Sequence, residues 1–367
     1  ESTPSQVNWH PFNKSKRPGM HEMGSLQQIA HGANSVLYFQ LHQSRGSSEM
    51  FHGAVVTHSL SNRTRVFKDV SLVGKDLEKL QPLLKSKYTH TKIAIVFDYD
   101  NVWALDDARN YSDQTKKYWH TIQSHYSVFW QNNIPVDIIS AQDDLSPYTL
   151  VIDPMHFMMD IEYMEKIEKY VSSGGNLVGT YMTGMVDKNY LAYLGGWPER
   201  LQRIYGLSYV ETDTLYPKQT NTIIWEDNEY KVIDYADVFE QKNATSLAYY
   251  EDDFYAQSPA LTKNDLGSGT AMMIAGRTEK AFLNKFYSKL IDKYSLRDSQ
   301  IPFENADAHL SVQVRQDERQ KYYFITNYTD NKQIALFKDS YTEMLSGNSL
   351  NGSTTLEPYQ VIVATKD

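Results

Sequence analysis

Apolar and polar positions follow three successive rhythms along this chain of 367 residues, and each rhythm predicts a different kind of structure. In the first stretch, Val36-Leu37-Tyr38-Phe39-Gln40 has the β-branched and aromatic content of a short buried strand, and Gly46 to Gly53 reads as the loop leaving it. Val73, Leu77, Leu80 and Leu84 then recur at intervals of four, three and four, which places them on one face of an amphipathic helix. A boundary is expected between Lys85 and Thr91.

The second stretch opens with Ile93-Ala94-Ile95-Val96-Phe97 and then Asp98. An uninterrupted apolar run is how a strand buried on both faces is written, and a parallel sheet is its natural host. A helix candidate runs from about Asp113 to Gln131, followed by strand candidates at Val136-Asp137-Ile138-Ile139 and Thr149-Leu150-Val151-Ile152-Asp153. A second helix from about Asp160 to Ser172 stops at Gly174-Gly175, and Asn176 to Tyr181 returns to strand. The alternation predicts an open, doubly wound α/β domain. Beyond about Gln300 the rhythm shortens to β-rich runs such as Tyr322-Tyr323-Phe324-Ile325 and Gln360-Val361-Ile362-Val363, separated by Asn, Gly, Ser and Asp. A small antiparallel β domain is predicted there.

Composition narrows the chemistry. The length implies two or three packed units. A net charge of −9, without a Lys or Arg block, argues against a nucleic-acid partner. There is no cysteine, which excludes a disulfide framework, a thiolate nucleophile and a thiolate zinc site, and leaves oxygen and imidazole chemistry. No apolar run approaches the roughly 20 residues that span a bilayer, so no membrane partner is expected. The 27 Tyr and 6 Trp suit a sugar-handling surface and suit ordinary packing equally well. The turn after the first parallel strand, Asp98 to Asp106, is acidic and has no Gly, which argues against a nucleotide-binding Rossmann unit; no cofactor is expected.

The most informative residues come first: Glu1-Ser2-Thr3-Pro4-Ser5-Gln6-Val7-Asn8-Trp9, then Pro11, Asn13 and Lys16-Arg17-Pro18-Gly19. A second segment holds His31-Gly32-Ala33-Asn34, Tyr38-Phe39-Gln40, Gln43-Ser44-Arg45-Gly46, Glu49 and Phe51-His52-Gly53-Ala54-Val55-Val56. In order and spacing, both segments resemble glycoside hydrolase family 42, the β-galactosidases. By that resemblance Glu1 matches the catalytic nucleophile, while Trp9, Phe39, Glu49 and His52 fall on positions that line the galactose pocket. The physical chemistry is compatible: a pyranose stacks its C–H faces on aromatic rings, and its vicinal hydroxyls donate to a carboxylate. The residues alone also allow Trp9 and Phe39 to be core aromatics, and Glu49 and His52 to be a surface ion pair within one turn. Gln40 and Arg45 are weaker candidates, the Arg as a structural partner of nearby carboxylates. Two departures stand out. Ser47-Ser48-Glu49-Met50 lacks the family's Gly before and Lys after its pocket Glu, and Asn34 stands where an Asp is expected.

The resemblance implies a fold in three parts: residues 1–84 as the last part of a (β/α)8 TIM barrel, 85–299 as a flavodoxin-like or amidotransferase-like α/β domain used for assembly, and 300–367 as a small antiparallel β domain. An amidotransferase would need a cysteine at its strand-to-helix elbow, and the chain has none. The implied activity is hydrolysis of terminal β-galactosyl residues, in lactose or related galactosides, by a retaining mechanism with two carboxyl groups about 5 Å apart. The acid/base Glu is then expected on an upstream barrel portion, a partner without which this chain should not turn over substrate. A homotrimer and a cytoplasmic location are the remaining expectations. The alternative is a noncatalytic sugar-binding or assembly module.

Overall fold

The computed structural model describes residues 2–89, 91–109, 111–297, 302–303 and 309–366. The chain divides into two compact units, one of Glu1–His90, Gln131–Asn133 and Asp298–Asp367, the other of Thr91–Trp130 and Ile134–Arg297. No helix among the described residues is long and apolar enough to cross a membrane.

In the first unit, a six-stranded antiparallel sheet runs in the order Lys87–Tyr88, Leu310–Gln316, Lys321–Asn327, Val361–Lys366, Gln333–Glu343, Ser349–Leu356. Successive side chains on a strand point to opposite faces, so Tyr322 and Phe324 pack with Leu26, Ile29, Leu80 and Leu83. Tyr323 and Ile325 join Leu310, Phe337 and Leu356 on the other side. The helix Met20–Ala30 brings Leu26 and Ile29 to the sheet, and Leu80 and Leu83 come from the end of the helix Arg65–Lys79 and the turn after it.

The helical face read from Val73, Leu77, Leu80 and Leu84 shifts at its end. Pro82 cannot donate a helical hydrogen bond, and Gln81–Lys85 tightens to a 3₁₀ turn. Leu83 is buried in consequence, and Leu84 is exposed. The strand expected at Val36–Gln40 reduces to one parallel bridge between Tyr38 and Ser2, and Leu37 and Phe39 are exposed. A ladder needs consecutive pairs, and within the described residues Tyr38 has Ser2 alone.

The second unit is one mixed sheet of eleven strands. Five lie parallel, in the order Asp137–Ile139, Ile93–Val96, Leu150–Asp153, Asn176–Thr180, Gly269–Ile274. Ile93–Val96, Leu150–Asp153 and Asn176–Thr180 are buried at every position, as their apolar runs require. Asp160 caps the helix Ile161–Ser172 by accepting from the Tyr163 amide at 2.7 Å. Beyond Gly269–Ile274 the sheet continues antiparallel through Pro259–Leu266, Thr245–Tyr250, Asn221–Trp225, Asn228–Gln241 and Gly276–Thr278, and Leu207–Thr214 also pairs with Asn228–Gln241. The doubly wound expectation therefore describes the parallel part, while a broad antiparallel extension makes the sheet mixed. The long helix starts at Tyr118 rather than Asp113. Arg277 takes the carbonyls of Thr115 and Lys116, which a helix would otherwise use for its own bonds.

Candidate active site

The nucleophile expected at Glu1 lies outside the described residues. The segments that follow it are held side by side by backbone bonds. Ser2 N donates to Leu37 O at 2.7 Å and Phe39 N to Ser2 O at 3.0 Å. His42 and Val56 form a second parallel bridge, flanked by Val55 N to Gln40 O at 2.9 Å and Val56 N to Leu41 O at 2.8 Å. Three short extended pieces thus run parallel; Phe39 stands on the second, and the loops after the first two carry Trp9, Glu49 and His52.

Three of those side chains meet around one ring. The Trp9 indole stacks on the His52 imidazole with centroids 5.1 Å apart and planes inclined by 20°. Phe39 meets the same imidazole edge-on, also at 5.1 Å. His52 is buried, whereas Trp9 is 62% and Phe39 38% exposed. Among the described residues Trp9 and Phe39 are not core aromatics: an inner imidazole supports two aromatic faces left exposed. His52 Nδ1 lies 2.8 Å from Gly53 O, so Nδ1 carries the proton and, in the neutral ring, Nε2 accepts.

Glu49 sits one turn before His52, whose amide donates to Glu49 O at 3.1 Å. The two side chains form no ion pair, and Glu49 is salt-bridged to no described residue. Its Oε2 is shielded from water and has no hydrogen-bond partner among the described residues. The same holds for Gln40 Nε2, although Gln40 Oε1 accepts from Ser44 Oγ at 3.2 Å. Arg45 is exposed and pairs with none of these groups.

Residues that sequence reasoning did not single out fix the loop. Gln43 Nε2 donates to His52 O at 3.0 Å while its Oε1 accepts from His58 N at 3.0 Å. The Asn8 amide donates to Ser48 O. Gly53 N donates to Gln6 O at 2.8 Å, and a Cβ on Gly53 would stand 2.3 Å from Ser5 Oγ and 2.7 Å from Gln6 O. Only glycine allows that approach. His21 was also missed. Its ring is buried 5.1 Å from the Tyr38 ring, and both nitrogens lack partners among the described residues. Burial, with Lys16 and Arg65 nearby, pushes its pKa down to about 4, so it is neutral at physiological pH. Among the described residues no group of three or more His, Asp or Glu could hold a metal ion.

Comparison with known proteins decides what this arrangement belongs to. The profile of the β-galactosidase trimerisation domain matches residues 91–297, that of the β-galactosidase domain residues 1–80, and that of the β-galactosidase C-terminal domain residues 309–366. This chain belongs to the family 42 β-galactosidases. The β-galactosidase GanA of Bacillus subtilis is 44% identical over 98% of this chain and 53% of its own length. GalA of Bacillus licheniformis is 43% identical over 100% of this chain and 54% of its own. Among solved structures, a family 42 β-galactosidase catalytic mutant from G. stearothermophilus superposes with a TM-score of 0.93 at 43% identity, over 99% of this chain and 53% of that one. The cold-adapted β-galactosidase of Rahnella sp. R3 gives 0.91 at 36% identity, over 100% and 54%. The chain spans about half the length of the curated relatives it matches.

Proposed function

We propose that this chain forms the sugar-holding part of a retaining β-galactosidase, with the parallel pieces at Ser2, Tyr38–His42 and Val55–Val56 as the last strands of a (β/α)8 barrel. Residues 1–84 then close the barrel, 85–299 assemble the oligomer and 300–367 form the terminal β domain. The observation that carries the reading is the Glu49 Oε2, unpaired among the described residues, one turn from the His52 ring on which two exposed aromatic rings pack. A carboxylate oxygen withdrawn from water without a donor is costly in a folded protein, and galactose hydroxyls are donors that satisfy it. Trp9 and Phe39 stack on the sugar's C–H faces, and His52 Nε2 accepts a further hydroxyl.

Glu1 attacks the anomeric carbon as nucleophile in this scheme. The glycosidic C–O bond breaks, the leaving oxygen takes its proton from an acid/base carboxyl on the barrel portion absent here, and water then displaces the Glu1 ester. The test uses this chain joined to that barrel portion. A 2-fluoro galactoside with an activated leaving group should label Glu1, and Glu49→Gln should lower kcat/KM by about 2 to 4 kcal/mol through lost charge-assisted hydrogen bonds. Label on another carboxylate, or Glu49→Gln activity within twofold of wild type, overturns the assignment.

Trimeric assembly through the second unit is supported by an aromatic patch. Tyr99, Trp103 and Trp119 are each more than half exposed, and Trp119 packs 4.5 Å from Phe97. Exposed apolar patches of this kind mark association surfaces. Sedimentation velocity should show a trimer that Trp103→Ser and Trp119→Ser together dissociate; a wild-type monomer at tens of micromolar argues against it.

A further inference from the structure

The second unit contains a polar crevice that the galactosidase reading leaves unused. In the parallel part of its sheet, Ile93–Val96 lies between Asp137–Ile139 on one side and Leu150–Asp153 on the other. The chain therefore leaves its first strand, pairs to one side, and returns to pair on the other. In open α/β sheets the crevice beyond the carboxyl ends of strands at such a switch point is where ligands bind. A cavity of about 160 Å³ lies there, lined among others by Asp98, Gln142, His156, Asp160, Glu162 and Lys188.

His156 is built into its wall. The ring is 4% exposed, and its Nδ1 lies 2.8 Å from Asp153 Oδ1. Tyr163 donates its hydroxyl to the other Asp153 oxygen at 3.1 Å, and its ring stacks on the imidazole at 4.6 Å. Asp153 and Tyr163 thereby fix the ring's tilt and its Nδ1 proton. Nε2, on the far side of the imidazole, makes no hydrogen bond to any described residue. Burial alone would lower the His156 pKa, but the Asp153 carboxylate, with Asp98 and Asp160 beyond it, outweighs burial and raises it. Packing of the core needs none of this: a buried histidine with a carboxylate behind it and a cavity beside it is an arrangement for offering Nε2 to a ligand.

We propose that this crevice binds a small neutral polyol, a monosaccharide or cyclitol, with His156 Nε2 as its central hydrogen-bonding group. The lining selects the class. Asp98, Asp160 and Glu162 accept hydroxyl protons, while Lys188 and the Gln142 amide donate to hydroxyl oxygens. Carboxylates repel an anion such as phosphate, and the Lys166 and Lys188 cations oppose an amine. A directly bound metal lacks ligands, since no three described His, Asp or Glu side chains converge closely enough.

The proposal does not rest on the galactosidase reading, and its test keeps the two apart. The full chain is titrated calorimetrically with galactose, with myo-inositol and with 1,4-diaminobutane, in the wild type and in Glu49→Gln, which disables the pocket of the first unit. Saturable millimolar binding of a polyol that persists in Glu49→Gln is expected. His156→Ala should weaken it at least tenfold, as should Glu162→Gln combined with Lys188→Ala, two exposed substitutions that leave the fold intact. Circular dichroism confirms folding of each variant. Polyol binding lost in Glu49→Gln, binding unchanged in both crevice variants, preferential binding of the diamine, or no polyol binding at all overturns the proposal.

Discussion

Within the first unit, two charged side chains are withdrawn from water in opposite ways. Arg315, on Leu310–Gln316, is 2% exposed and nearly every donor is spent: Nη1 reaches Ile29 O and Ala33 O at 3.0 Å each, and Nη2 reaches Ser86 O at 2.9 Å, Asn34 Oδ1 at 3.1 Å and Leu83 O at 3.4 Å. Its acceptors are mostly carbonyls at and just beyond the ends of Met20–Ala30 and Gln81–Lys85, of which Ala33 O and Ser86 O take no backbone amide. Glu49 is the reverse: a carboxylate oxygen is shielded from water and nothing in the described chain donates to it. The difference separates structure from function. Arg315, with all but its Nε bonded, holds elements together, and the Glu49 oxygen, with no described donor, has the bonding capacity a ligand would use.

The largest expected effect breaks the Arg315 side of the comparison. Arg315→Ala leaves Ala33 O and Ser86 O without their donor, takes one donor each from Ile29 O and Leu83 O, and opens a cavity between helices and sheet, so thermal or urea unfolding should show a loss of about 3 to 5 kcal/mol. Glu49→Gln in the same measurement should show no loss, because it removes a charge whose burial is uncompensated. Equal losses in the two variants would erase the distinction drawn between them.

A smaller effect sharpens the Glu49 side. Gly53→Ala forces a methyl group against Ser5 Oγ and Gln6 O, and the loop carrying Glu49 and His52 must move away from the segment carrying Trp9. A stability loss of about 1 to 3 kcal/mol is expected from the overlap. The near-ultraviolet circular dichroism of Trp9 should change with it, since its stack on His52 is drawn apart. An unchanged spectrum would show that the loop and the indole are not coupled.

How much of this could be read from residues alone follows the same division. The parallel strands were legible because burial on both faces leaves only apolar residues, as in Ile93–Val96, and the helix from Ile161 was legible because Asp160 caps it and Gly174-Gly175 ends it. The antiparallel extension was not, because Leu207–Thr214 and Asn228–Gln241 mix buried and exposed positions without a clean alternation. Trp9, Phe39, Glu49 and His52 were named by resemblance, and the meeting of Trp9 and Phe39 around His52 is long-range geometry that spacing does not contain. The Asn at position 34 was a departure without an account. Its Oδ1 accepts from Arg315, a residue 281 positions away, and a neutral acceptor suffices there because the backbone carbonyls share the guanidinium.

The smallest predicted effect concerns a third buried charge, one between the two extremes. Glu22, on Met20–Ala30, has its pKa pushed up to about 7, first by burial and then by the carboxylates of Asp76, Glu343 and Asp69. Asp76 and Asp69 come from Arg65–Lys79 and Glu343 from Gln333–Glu343, so three elements turn acidic groups toward one another. Glu343 is committed, accepting from Leu345 N at 2.9 Å and Ser346 N at 2.6 Å, and the cations close by, Lys79 beside Asp76 and Arg65 paired with Asp69, neutralise the cluster only in part. The sign follows from linkage. Below the ordinary Glu pKa of 4.5, Glu22 is protonated in folded and unfolded chains alike and contributes nothing. As pH rises from 4.5 to about 7 the unfolded chain gives up this proton while the folded chain keeps it, so stability falls across that window and stays lower above it. Glu22→Gln cannot ionise and removes the loss. Because water still reaches part of the side chain, the gain should be about 1 kcal/mol at pH 8, fading to none at pH 4. Unfolding midpoints of the two proteins, measured from pH 4 to pH 8, should therefore diverge as pH rises, with the variant the more stable; parallel curves would mean that solvent already neutralises the cluster and that Glu22 belongs with ordinary surface carboxylates.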